Sequence, residues 1–177
     1  MDDKFKIITS PLSRKFTREG ITVEILIYRG ENDRAWVLEV VVPGGAASGI
    51  LPAAALDAPL TRDGLAEWGA GPGSAAVQVF PVSYSPLRLL AETMRFFAEE
   101  SCQKCTPCRI GNRALHHLAE ELGQGRAPMT REKVDEWLLA MEKTSICGLG
   151  QASPFPVRSA MQHWPDLFEP LAVDPLA

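Results

Sequence analysis

The apolar pattern of this 177-residue chain changes period once, near residues 81–86, and that change predicts an α+β fold. Three observations carry the expectation. Up to Tyr84 the chain offers β-branched runs cut by glycine and proline. From Ser85 onward the apolar residues recur at helical spacing. All four cysteines fall in that helical part. The expected division is a small β-rich N-terminal domain over residues 1–84, a four-helix bundle over 85–170 and a tail over 171–177.

In chain order, residues 21–28 and 36–42 read as strands around a turn at Gly30-Glu31-Asn32-Asp33, which predicts a hairpin over 21–42. Pro43-Gly44-Gly45 ends it, and the Gly/Ala/Pro-rich stretch through residue 59 reads as loop and short turns. Residues 61–69 suit a short helix with Thr61 as its N-cap. A glycine-rich turn over 69–74 then leads into a buried strand over 75–80.

Four helices follow. Leu87, Leu90, Ala91, Met94, Phe97 and Ala98 define the first, opened by Ser85 as N-cap and Pro86 in the first turn. It runs directly into the first cysteines. Ile110, Ala114, Leu115 and Leu118 define the second, which stops near Gly123-Gln124-Gly125. Thr130 caps the third, with Val134, Trp137, Leu138 and Met141 inward. The fourth starts after Ser153-Pro154 and carries Val157, Ala160, Met161 and Trp164. No internal repeat is visible.

Composition narrows the function classes. With 46% hydrophobic and 23% charged residues the chain can bury a core without disulfides. A net charge of −4 argues against nucleic acid as a partner, because that needs a basic face. No apolar run approaches the roughly 20 residues of a membrane span, so no membrane insertion is expected. The N-terminus lacks the layout of a secretory signal, and the expected location is cytoplasmic.

The cysteines are spaced Cys102-x2-Cys105-x2-Cys108-x38-Cys147. Three thiolates in seven residues can wrap three corners of a [4Fe–4S] cubane, and a distant fourth closes it. Structural zinc is the competing reading, but zinc ligands usually come as two pairs, and here the second site is a singleton. A redox disulfide sensor is a third possibility. His116 and His117 are not needed, since four cysteines already complete a ligand set. A four-thiolate cluster is anionic and gains charge on reduction. Lys104, Arg109 and Arg158, the start of the second helix, and amides near Gly111, Gly148 and Gly150 would all favour the reduced state. The plain alternative for either arginine is a surface ion pair.

The segment Glu99-Glu100-Ser101-Cys102-Gln103-Lys104-Cys105-Thr106-Pro107-Cys108-Arg109-Ile110-Gly111, with Ser145-Ile146-Cys147-Gly148-Leu149-Gly150-Gln151, resembles the family of the 51 kDa flavoprotein of respiratory complex I. That family includes the diaphorase subunits of NAD-linked hydrogenases and formate dehydrogenases. Val42-Pro43-Gly44-Gly45, Ser48-Gly49-Ile50-Leu51-Pro52 and Gly71-Pro72-Gly73-Ser74-Ala75-Ala76-Val77 resemble the family's β-grasp part. Together these cover about residues 37–168. The resemblance implies a β-grasp-like domain before a helical [4Fe–4S] domain. It implies Cys102, Cys105, Cys108 and Cys147 as metal ligands, with Lys104, Arg109 and Gly148 around them. No room is seen before residue 40 for the family's flavin- and NADH-binding domain, so neither FMN nor NAD is expected on this chain.

The expected function is an electron-transfer subunit, not catalytic alone. Its expected partners are a flavoprotein or [2Fe–2S] subunit on one side and a molybdenum- or tungsten-dependent dehydrogenase, or a hydrogenase, on the other. The alternatives are an NADH-oxidising diaphorase subunit and a non-redox zinc-binding assembly module. No Ser/His/Asp or Cys/His triad is seen, and His163 reads as a surface residue.

Overall fold

The computed structural model describes residues 12–18, 21–27, 38–59, 61–74, 76–81 and 84–172. Strands β1 (Leu12–Arg18) and β2 (Ile21–Ile27) pair antiparallel, from Arg18↔Ile21 out to Leu12↔Ile27. Only Glu19 and Gly20 separate them, the two-residue length that tight hairpins favour. This corrects the hairpin expected over 21–42. A two-residue connection closes at lower entropic cost than the longer one between residues 27 and 38. Strand β3 (Leu38–Val42) pairs elsewhere, between β4 (Leu51–Pro52) and β5 (Gln78–Pro81), in the antiparallel order β4-β3-β5. The expected turn at 30–33 lies outside the described residues, as do Trp36 and Val37.

The three-stranded sheet is held by a backbone clasp. Ser74 N donates to Gly44 O at 2.9 Å, and Gly45 N donates to Ala76 O at 3.0 Å. A Cβ on Gly44 would stand 2.5–2.6 Å from Gly71 and Pro72 main-chain atoms, so only glycine fits. The expected loop before residue 59 includes a 3-10 turn at Ala53–Asp57. Helix α1 (Arg62–Ala66) begins as its cap predicts, with Thr61 Oγ1 accepting from Gly64 N.

The four expected helices are α2 (Pro86–Glu100), α3 (Thr106–Gly123), α4 (Arg131–Thr144) and α6 (Pro154–His163). A short helix unforeseen in the sequence, α5 (Gly148–Ala152), intervenes, and a 3-10 segment closes at Pro165–Ala172. Thr130 Oγ1 caps α4 by accepting from Lys133 N. Ser85 makes no side-chain cap bond, so α2 starts on Pro86 alone. Leu87, Leu90, Met94 and Phe97 of α2 are buried, as are Leu115 and Leu118 of α3 and Val134, Leu138 and Met141 of α4. Ile110 departs from the expected stripe and is half exposed.

The main core joins these helices to Val42 and Ile50 of the strand region, with Phe168 and Leu171 closing one end. A smaller cluster gathers Leu51, Ala55 and Leu65. Two polar ties reinforce the junction. Ile50 N donates to the buried Ser159 Oγ at 2.7 Å, and His163 Nε2 lies 2.8 Å from Trp68 O. Among the described residues no helix is long and apolar enough to cross a membrane.

Candidate metal centre

Each cysteine sits where a helix begins or has just ended. Helix α2 stops at Glu100 because Ser101 turns extended, at ψ 126°. Gln103 then takes φ +63°, a left-handed conformation rare outside glycine. Its backbone N–H donates to Ser101 Oγ and its side chain accepts from Arg113, which holds the turn. This reversal carries Cys102, places Cys105 as the N-cap of α3 and leaves Cys108 in that helix's first turn. At the other end α4 finishes at Thr144, and Cys147 is the N-cap of α5. Two helix N-termini, with their free amides and positive dipole ends, therefore start at cysteines.

All four cysteines line one cavity of about 280 Å³, together with Glu100, Ser101, Lys104, Ile146 and Leu149. Cys108 is buried, Cys105 half-buried, and Cys102 and Cys147 are exposed at its mouth. The thiols surround this space and do not meet at a point. Among the described residues no three His, Cys, Asp or Glu side chains converge as they would on one ion. A lone zinc at Zn–S distances of about 2.3 Å would draw its thiolates to within about 4 Å of each other. The donor set is all thiol and the space takes several atoms, so these residues fit a sulfur-ligated cluster.

The electrostatics divide the thiols. Backbone amides of Ile146 and Cys108 hold the Cys105 thiol below its ordinary pKa. Burial pushes the Cys108 thiol up, opposed by a hydrogen bond with Ser101. Cys108 Sγ has two polar neighbours, Ser101 Oγ and Asn112 Nδ2, each at 3.3 Å. Gly150 backs the same thiol. A Cβ there would stand 2.6 Å from Ser145 Oγ and 2.9 Å from Cys108 Cβ.

The other expected site residues separate. Lys104 lines the cavity. Arg109 is exposed and outside the lining. Gly148 is exposed, with open space where a Cβ would be. Arg158 turns to α4, where Nη1 lies 2.6 Å from Glu142 Oε2, an ion pair more than an aligned hydrogen bond. Sequence reasoning missed Asn112 and assigned Ser101 no role. The signal was present, since Asn112 follows Cys108 by four residues on one helix and so shares its face.

A helical domain that brings a cysteine triplet and a distant fourth cysteine to one cavity defines an iron–sulfur cluster-binding protein. Residues 88–171 match the NADH-ubiquinone oxidoreductase-F iron-sulfur binding region. The corresponding NADH-quinone oxidoreductase protein of Mycobacterium tuberculosis is 33% identical over 151 residues, covering 83% of this chain and 34% of the relative. The mitochondrial NADH-ubiquinone oxidoreductase 51 kDa protein of Aspergillus niger is 32% identical over 129 residues, covering 72% and 26%. Among solved structures, an NAD+-reducing [NiFe]-hydrogenase in the H2-reduced state aligns with a TM-score of 0.62 at 31% identity, over 78% of this chain and 24% of that one. The chain thus spans about a third of the length of the curated relatives it matches. The cofactor of the shared region is a [4Fe–4S] cluster, which supplies one-electron redox chemistry when bound.

Proposed function

We propose that this chain is an electron-relay subunit of a multi-subunit oxidoreductase, holding one [4Fe–4S] cluster through Cys102, Cys105, Cys108 and Cys147. The observation that carries the reading is the single cavity lined by all four thiols, with Cys102 and Cys147 open to solvent. A centre held there has one edge sheltered by Cys108 and one edge at the surface, where a second redox group can approach. The partners proposed are a flavoprotein or [2Fe–2S] subunit on one side and a molybdenum- or tungsten-dependent dehydrogenase, or a hydrogenase, on the other. Lys104 in the cavity wall, and less directly Arg109 beside it, offset the charge gained on reduction. Gly148 contributes through its place behind Cys147 at the start of α5. The sheet β4-β3-β5 with α1 is proposed as the β-grasp-like half that braces the helices.

The full chain, reconstituted anaerobically, tests this directly. It should bind about four iron and four sulfide per chain and show broad absorbance near about 400 nm that dithionite bleaches. Cys105→Ser should lose or degrade the cluster and lower the unfolding temperature, because cluster binding is coupled to folding. A colourless wild-type chain with one zinc, or undiminished iron in Cys105→Ser, would overturn the assignment.

A further inference from the structure

We propose that Asn112 raises the reduction potential of the cluster by donating a hydrogen bond from its side-chain amide to Cys108 Sγ. The inference rests on the four-cysteine ligation proposed above. Asn112 is completely buried, one helical turn after Cys108 on α3. Its Nδ2 stands 3.3 Å from Cys108 Sγ and 3.4 Å from the carbonyl oxygen of Phe97.

The carbonyl fixes which way the amide faces. A main-chain oxygen can only accept, so the nitrogen and not Oδ1 must point toward it. Phe97 lies in the last turn of α2, where carbonyls lack partners within their own helix. One amide proton therefore goes to Phe97 O, and the second is left for sulfur. On the far side Asn112 Oδ1 is buried with no partner among the described residues. An apolar residue would remove the orphaned Oδ1 but would take from Phe97 O its donor, so stability alone does not account for asparagine here.

Ser101 supports the same sulfur. Its Oγ accepts from Gln103 N at 3.2 Å, which leaves the hydroxyl proton free for Cys108 Sγ at 3.3 Å. Cys108 is the most buried of the four, so donors to it act in the least water-screened part of the site. Reduction adds negative charge that spreads onto the sulfurs. A fixed N–H donor stabilises that state more than the oxidised one, which raises the potential. The competing role is structural, with Asn112 only stapling the end of α2 to α3.

The potential separates the two roles. The reconstituted full chain, Asn112→Leu and Asn112→Asp are compared by iron and sulfide content, thermal unfolding and EPR-monitored redox titration. The expected result is wild-type iron content with a lower midpoint in both variants, whatever their unfolding temperatures. An unmoved midpoint in an iron-replete Asn112→Leu overturns the proposal and leaves a staple. If neither variant retains iron, the wild-type chain labelled with 15N-asparagine decides, since it holds only Asn32 and Asn112. Pulsed EPR of the reduced cluster should then show a side-chain 15N coupling that persists in Asn32→Gln, and absence of that coupling overturns the proposal. A wild-type chain that takes up no iron is a different failure, that of the ligation itself.

Discussion

Gly148 and Gly150 stand two positions apart on α5, yet only the second has no room for a side chain. The Cβ of Gly150→Ala would press on Ser145 and Cys108, so it should cost about 1–3 kcal/mol and reduce iron retention. Gly148→Ala meets open space and should stay within about 0.5 kcal/mol of wild type. Thermal unfolding with parallel iron assays reads both, and equal losses at the two positions would refute the steric account. Charge is tested at Lys104, whose reversal to glutamate should lower the midpoint potential without loss of iron. Reversal of Arg109, outside the cavity wall, should move it less. The cysteine triplet was legible as a candidate because its spacing is a local property of the chain, and the fold brings it to one cavity with the distant Cys147. Asn112 was harder to see, because its value depends on where the end of α2 comes to rest. For Arg158 the surface ion pair, the plainer of its two readings, is what the structure shows, with a partner, Glu142, on another helix.

At the scale of elements, helices were legible and strand pairing was not. Pro86, Thr130 and the 3.6-residue apolar stripes act within one segment, so α2, α3, α4 and α6 could be read directly. Helix α5 has five residues, two of them glycine, too short for a period to register. Pairing of β3 with β4 and β5 is non-local, and nothing in residues 38–42 names a partner. Between helices, the Arg158–Glu142 ion pair joins α6 to α4. A hydrogen bond from Lys143, then the Arg158 charge, holds the Glu142 carboxyl below its ordinary pKa. A carboxyl depressed in the folded state stabilises above its unfolded pKa and loses that contribution as pH falls through the folded one. Arg158→Gln should therefore cost about 0.2–1 kcal/mol at neutral pH, with the gap to wild type closing below the carboxylate range. Urea unfolding midpoints of the two proteins across pH measure this, and a gap independent of pH would exclude the ion pair as its source.

At the scale of the whole molecule, the strand region and the helices share one interior. Val42 and Ile50 belong to the same buried cluster as Leu90, Met94 and Met161. One polar tie is Ser159, 1% exposed, whose Oγ accepts from Ile50 N at 2.7 Å and donates to Pro156 O at 3.1 Å. Ser159→Ala leaves the Ile50 amide buried without a partner, a loss of about 1–3 kcal/mol. The consequence should reach the metal centre. Ile50 rests on α6, α6 follows α5 directly, and Cys147 is the N-cap of α5. Loosening the strand region therefore releases the support of Cys147, the proposed ligand that the cysteine triplet cannot replace. In thermal unfolding of the reconstituted chain, far-UV circular dichroism, tryptophan fluorescence and cluster absorbance should change together, and Ser159→Ala should shift all three to lower temperature by the same amount. Cluster absorbance that held its wild-type midpoint while the fluorescence midpoint fell would show that the helices keep the centre without the sheet.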